Sequence, residues 1–102
     1  MIDPSVIQAS LQAPEGWVDT PEQAQLRRCL ATVLEGHDGP ETVRVCYELI
    51  TLMRDQLMTG AAQVRRQAAK EARTVMSPRD LALASGQTRQ TISRLLTEAR
   101  EA

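Results

Sequence analysis

The chain contains no phenylalanine, one tryptophan (Trp17), one tyrosine (Tyr47) and one histidine (His37). A core without aromatics must be assembled from Leu, Ile, Val, Met and Ala. These side chains pack well between helices, and Ala is the strongest helix former among them. A β-sandwich would require Val, Thr and aromatic residues at alternating positions, and no such alternation is present. No stretch reaches the roughly 18 consecutive apolar residues of a membrane span. No basic segment followed by an apolar run stands near Met1, so neither a secretory leader nor a membrane partner is expected. These absences predict an all-α cytoplasmic chain of 102 residues, with burial between two subunits supplementing a modest core.

Catalytic equipment is equally scarce. One histidine and two separated cysteines, Cys29 and Cys46, make no convincing zinc site. Cys29 paired with His37 would lack a third, orienting group. No Gly-rich loop is placed to cradle a phosphate. No enzymatic activity, metal or cofactor is therefore expected. Both cysteines fall inside apolar helical patterns and read as reduced core residues, a disulfide being the alternative.

What the chain does have is a division of charge. Net charge is −1, yet residues 1–60 carry four arginines against nine acids, a balance of −5. Residues 61–102 carry seven arginines and Lys70 against four acids, a balance of +4. The split predicts a basic binding half and an acidic half with another task, such as holding a protein partner.

Helix signals recur along the chain. Asp3-Pro4 is a start signal for a helix with Val6, Ile7 and Leu11 on its apolar side, ending before Pro14-Glu15-Gly16. Thr20-Pro21-Glu22-Gln23 is a capping box ahead of Leu26, Leu30, Val33 and Leu34, with Cys29 beside them. Trp17 and Val18 are expected to fold onto this helix, and Gly36 to stop it. After a loop at His37-Asp38-Gly39-Pro40, Asp38 or Gly39 caps a helix with Val43, Cys46, Tyr47, Ile50, Met53 and Leu57 at spacings of three and four. Val45, Leu49 and Leu52 widen that stripe beyond one face. Two packing surfaces are implied, one within the subunit and one across a dimer through Cys46, Ile50, Met53 and Leu57. A helix buried on two sides of one monomeric bundle is the alternative. Gly60 either ends this helix or is tolerated within it, and Ala61–Val75 continues with Val64, Ala68, Ala72 and Val75 on one face.

The last quarter carries the most specific pattern. Ser77-Pro78-Arg79-Asp80 starts a short helix that can run to about Ser85. Gly86 supplies a left-handed turn, and Thr88 caps a final helix through Leu95 and Leu96. Leu81, Ala82, Ile92 and Leu95 fall where the two helices must interlock, with Ala82 small to allow close approach.

Residues 81–96 resemble the helix-turn-helix of the lactose-repressor family, most closely over Gly86, Thr88, Gln90-Thr91-Ile92-Ser93-Arg94 and Leu95-Leu96. They are also similar to the DNA-binding ends of site-specific resolvases. The resemblance covers about a fifth of the chain. Gln87 departs from the family's apolar residue there, and the motif stands late in the chain with no sugar-binding domain after it, so effector sensing does not carry over. The resemblance implies a third, supporting helix, for which Ala61–Val75 is the candidate.

A recognition helix points its N-terminal side chains at base edges in the major groove. Arg89, Gln90 and Arg94 are the expected base readers, since Arg suits guanine N7 and O6 and Gln suits adenine. Thr88, Thr91, Ser93, Arg79, Arg73 and Lys70 are the expected phosphate contacts. The expected organisation is a helical dimerisation or interaction region over 1–59 and a DNA-binding region over 60–102. The expected function is sequence-specific double-stranded DNA binding by a homodimer, a small nucleoid-associated bacterial transcriptional regulator. The alternatives are a DNA-organising accessory factor in plasmid partition or recombination, or a protein-interaction module such as an antitoxin or sigma-factor adaptor.

Overall fold

A computed structural model describes residues 1–101, and every regular element among them is helical. Two compact units are present, one from Met1 to Thr51 and one beginning at Leu52, ahead of the division expected between 59 and 60.

The first unit holds α1 (Pro4–Leu11), α2 (Pro21–Leu34) and most of α3 (Gly39–Leu52). Each start is fixed locally. The Asp3 carboxylate accepts from the Ser5 amide, and that bond, aided by the Ser5 hydroxyl, holds its pKa below the ordinary value. Thr20 and Gln23 form a reciprocal capping box on α2. Asp38 caps α3 by accepting from the Glu41 amide at 2.8 Å. α1 packs on α2, with Ile7 buried. An arginine fastens the junction: Arg27 Nε donates to Asp19 at 2.9 Å, and its Nη1 donates to the Leu11 carbonyl at 2.8 Å. That carbonyl, at the end of α1, has no intrahelical partner, so the guanidinium satisfies it.

The expected face of α2 is met in part. Ala24, Arg27, Leu30, Ala31 and Leu34 are the partly covered positions, so Leu30 and Leu34 lie on the covered side as expected, while Leu26 and Val33 are half exposed and Cys29 is exposed. Both cysteines are free thiols, and Cys29 is not a core residue. Trp17 reaches the clamp through its Nε1, which donates to Asp19 at 2.8 Å, but Val18 is 89 % exposed and does not fold onto α2. On α3 the wide stripe separates into two seams. Thr42, Val45, Cys46 and Leu49 are covered, whereas Val43, Tyr47 and Ile50 remain exposed at spacings of four and three.

The second unit opens on a π-helical turn (Met53–Leu57), in which the Met58 amide bonds back to the Met53 carbonyl. Then come α4 (Met58–Arg73), α5 (Pro78–Ser85) and α6 (Arg89–Glu101), which pack pairwise. Gly60 lies within α4 and does not end it. The buried position of α4 is Ala69, flanked by half-covered Ala62, Arg66 and Ala72; Val64 and Val75 face solvent instead of the expected core. α6 buries Ala99 as well as Ile92, so α4 and α6 each contribute a small residue to the close-packed interior. Ser77 caps α5 by accepting from the Asp80 amide at 3.1 Å. Ser77→Ala is expected to cost about 1 kcal/mol of stability, read by urea denaturation; a cost within error of zero would show the cap to be idle.

Candidate nucleic-acid interface

The segment after α5 sets the direction of α6. Gly86 takes the left-handed conformation with φ +71°, and its amide bonds back to the Ala82 carbonyl. The Gln87 amide bonds to the same carbonyl at 3.1 Å. Two residues later Thr88 caps α6: its hydroxyl accepts from the Thr91 amide at 3.1 Å and donates to the Thr91 hydroxyl at 2.9 Å. Ala82 and Ile92 are buried, at 5 % and 2 % exposure, with Leu81, Leu95 and Leu96 half-covered around them.

With Ile92 and Ala99 facing inward, the helical repeat puts Gln90 and Arg94 on the opposite side of α6, one turn apart. Both are exposed. Arg89, also exposed, begins the helix on the flank that it shares with Ser93 and Arg100, so it projects differently from Gln90. Arg79, Lys70, Arg73, Thr91 and Ser93 are exposed too. Thr88 and Thr91 share one hydroxyl–hydroxyl hydrogen bond, which leaves one proton of the pair to meet an anion. Of the residues expected to join subunits, Ile50 and Leu57 are about half exposed, and Cys46 and Met53 are partly covered.

Ion pairing differs between the units. The arginines of the first unit that pair do so with its own acids, Arg27 with Asp19 and Arg44 with Glu41 and Glu48. Arg54 pairs with its neighbour Asp55. Among the described residues, Arg65, Arg66, Lys70, Arg73, Arg79, Arg89, Arg94 and Arg100 have no carboxylate within 4.0 Å. Their charge is not neutralised locally, which is the electrostatic requirement for a polyanion surface.

Sequence reasoning did not anticipate a cleft of about 510 Å³ where the end of α4, the start of α5 and one flank of α6 meet. Lys70, Arg73, Ser93, Thr97 and Arg100 line it. The spacing of Ser93, Thr97 and Arg100, by four and then three, was the available signal that these α6 residues share a flank. No family model, characterised protein or solved structure matches the chain.

Proposed function

We propose that the chain is a sequence-specific double-stranded DNA-binding protein acting as a homodimer, a small bacterial transcriptional regulator that works at the nucleoid. The observation that carries this reading is α6 itself. It buries Ile92 and Ala99 on one side and offers exposed Gln90 and Arg94 on the other, in a unit where, among the described residues, the cations from Arg65 onward have no ion-pair partner. Gln90 and Arg94 would read base edges, with Arg89 reaching in from the start of the helix. Arg79, Thr91 and Ser93 would hold the backbone alongside.

Exposed apolar surface supports the homodimer. Much of the exposed apolar surface lies in the first unit, at Leu26 and Val33 on α2 and Val43, Tyr47 and Ile50 on α3. The same seams favour the interaction-module reading if a different protein covers them, and co-purification of a basic partner with no duplex binding at low salt would decide for it.

The test is selection of binding sites from random duplexes, followed by a salt titration on the winner. An enriched inverted repeat is expected; an unenriched pool removes the proposal. On the selected site, Gln90→Ala or Arg89→Ala is expected to cost about 1–3 kcal/mol and to relax the preference at one base position. Equal loss on selected and random duplexes would rule out base reading by the altered residue.

A further inference from the structure

The cleft between α4, α5 and α6 differs in its charge from two other grooves among the described residues. Three cations line it, Lys70 and Arg73 from the last turn of α4 and Arg100 from the last turn of α6, and no acid does. The groove on the other flank of α6 sets Glu98 against Arg65 and Arg94. The groove between α1 and α2 sets Asp19 and Glu35 against Arg27 and Arg28. None of the three side chains has an ion-pair partner among the described residues, so the lining is a positive surface that favours an anion.

Hydrogen bonding narrows which groups can hold that anion. Thr97 donates its hydroxyl proton to the Ser93 carbonyl at 3.0 Å, and Thr74, also on the rim, donates its own to the Glu71 carbonyl at 2.7 Å. Neither has a proton to offer. Arg73 uses only Nη1, on the Met76 carbonyl at 2.9 Å, so its remaining N–H groups are free. The Ser93 hydroxyl has no partner among the described residues. Among the described residues, the donors without a partner are thus Lys70 Nζ, the remaining Arg73 N–H groups, the Arg100 guanidinium and the Ser93 hydroxyl. Tetrahedral phosphate oxygens accept from such a set, with the guanidinium groups able to bind two oxygens at once.

We propose that this cleft is a single-phosphate site in which Lys70, Arg73, Arg100 and Ser93 close on one phosphate group, supplied by the DNA backbone. The proposal rests on the DNA-binding reading for the source of the phosphate. It gives Arg100 a role beyond balancing the C-terminal end of its own helix. It also separates these residues from Gln90 and Arg94: the cleft fixes the register of α6 on the duplex and carries no base preference.

The test is the salt dependence of duplex binding by the full chain and its Lys70→Gln, Arg73→Gln, Arg100→Gln triple variant. Each neutralised phosphate contributes about 0.9 to the slope of log affinity against log salt concentration. Three cations converging on one phosphate predict that the triple variant loses about 0.9 in slope, and that Arg100→Gln alone loses little of it, because Lys70 and Arg73 still neutralise the same phosphate. A loss of about 2.7 would mean three separate phosphate contacts, and no loss would mean an idle cleft; either overturns the proposal while leaving DNA binding intact. If the native chain binds no duplex, the functional reading fails and inorganic phosphate decides the site. Saturating shifts of the Ser93 amide resonance in the native chain, absent from the triple variant, would support a site for free phosphate. Unmoved resonances would end it.

Discussion

Ile92→Ala is expected to remove about 2–5 kcal/mol of stability from the second unit, the usual cost of truncating a buried Ile to Ala. The side chain is 2 % exposed, the most deeply buried position of α6 after Ala99. Its helix packs on both α4 and α5, and it lines one groove with Ala69 and Leu81. Small domains have only about 5–15 kcal/mol in total, so this loss takes a third or more of what is available at the lower end. The consequence reaches the surface because Gln90 and Arg94 stand two residues to either side, and a loosened Ile92 releases both from one fixed direction. Urea denaturation gives the stability. Ile92→Val, which keeps most of the volume, should cost about 0.5–1.5 kcal/mol and leave site selectivity unchanged. A cost below about 1 kcal/mol for the alanine variant would mean that α6 is not held by this contact.

The second large effect concerns the exposed seam of α3. Tyr47 is 72 % exposed and Ile50 53 %, and no helix of the first unit brings its backbone within 8 Å of α3. If the proposed dimer forms through this seam, replacing both with Asp should give a monomer, because each charge would have to be buried in the contact without a partner. Far-ultraviolet circular dichroism should be unchanged, since neither side chain belongs to the buried interior of its own subunit. Affinity for an inverted repeat should fall 10²–10⁴-fold, the usual gain from a tethered second site. Affinity for a half-site should not change. Analytical ultracentrifugation gives the mass directly. A variant that remains dimeric moves the contact elsewhere, to the Leu26 and Val33 seam of α2 or to Leu57, whereas a native chain that is already monomeric removes the dimer from the functional proposal.

The parts of the fold that were legible in the sequence are those decided over four or five residues. Asp3, Thr20 with Gln23, Asp38 and Ser77 each cap the helix they announce, because a cap needs only its own turn of backbone. Gly86 and the interlock of Ala82 with Ile92 were readable for a similar reason: handedness and size are constrained at single positions. Helix rotation was harder to read. On α2 the apolar count favoured Leu26 and Val33 as core, but Arg27 satisfies both Asp19 and the end of α1, and that polar clamp prevails over two half-exposed aliphatics. On α4 the alanines allow several faces to pack equally well by hydrophobicity, and the close approach of α6 selects Ala69. The π turn has no composition of its own, since Met53–Leu57 would serve equally as α-helix. The convergence of Lys70 and Arg73 on Arg100 depends on tertiary packing and leaves no trace in local spacing.

Gly86 has one more consequence. A Cβ added there would meet nothing within 4 Å, so the glycine makes room for no neighbour. The position asks only for a backbone of opposite hand, φ +71°, which an ordinary L-residue adopts at a cost. The bend between α5 and α6 is therefore specified by chirality rather than by volume. A residue of D configuration, introduced by chemical synthesis, would occupy it without strain and would narrow the unfolded ensemble that glycine leaves broad.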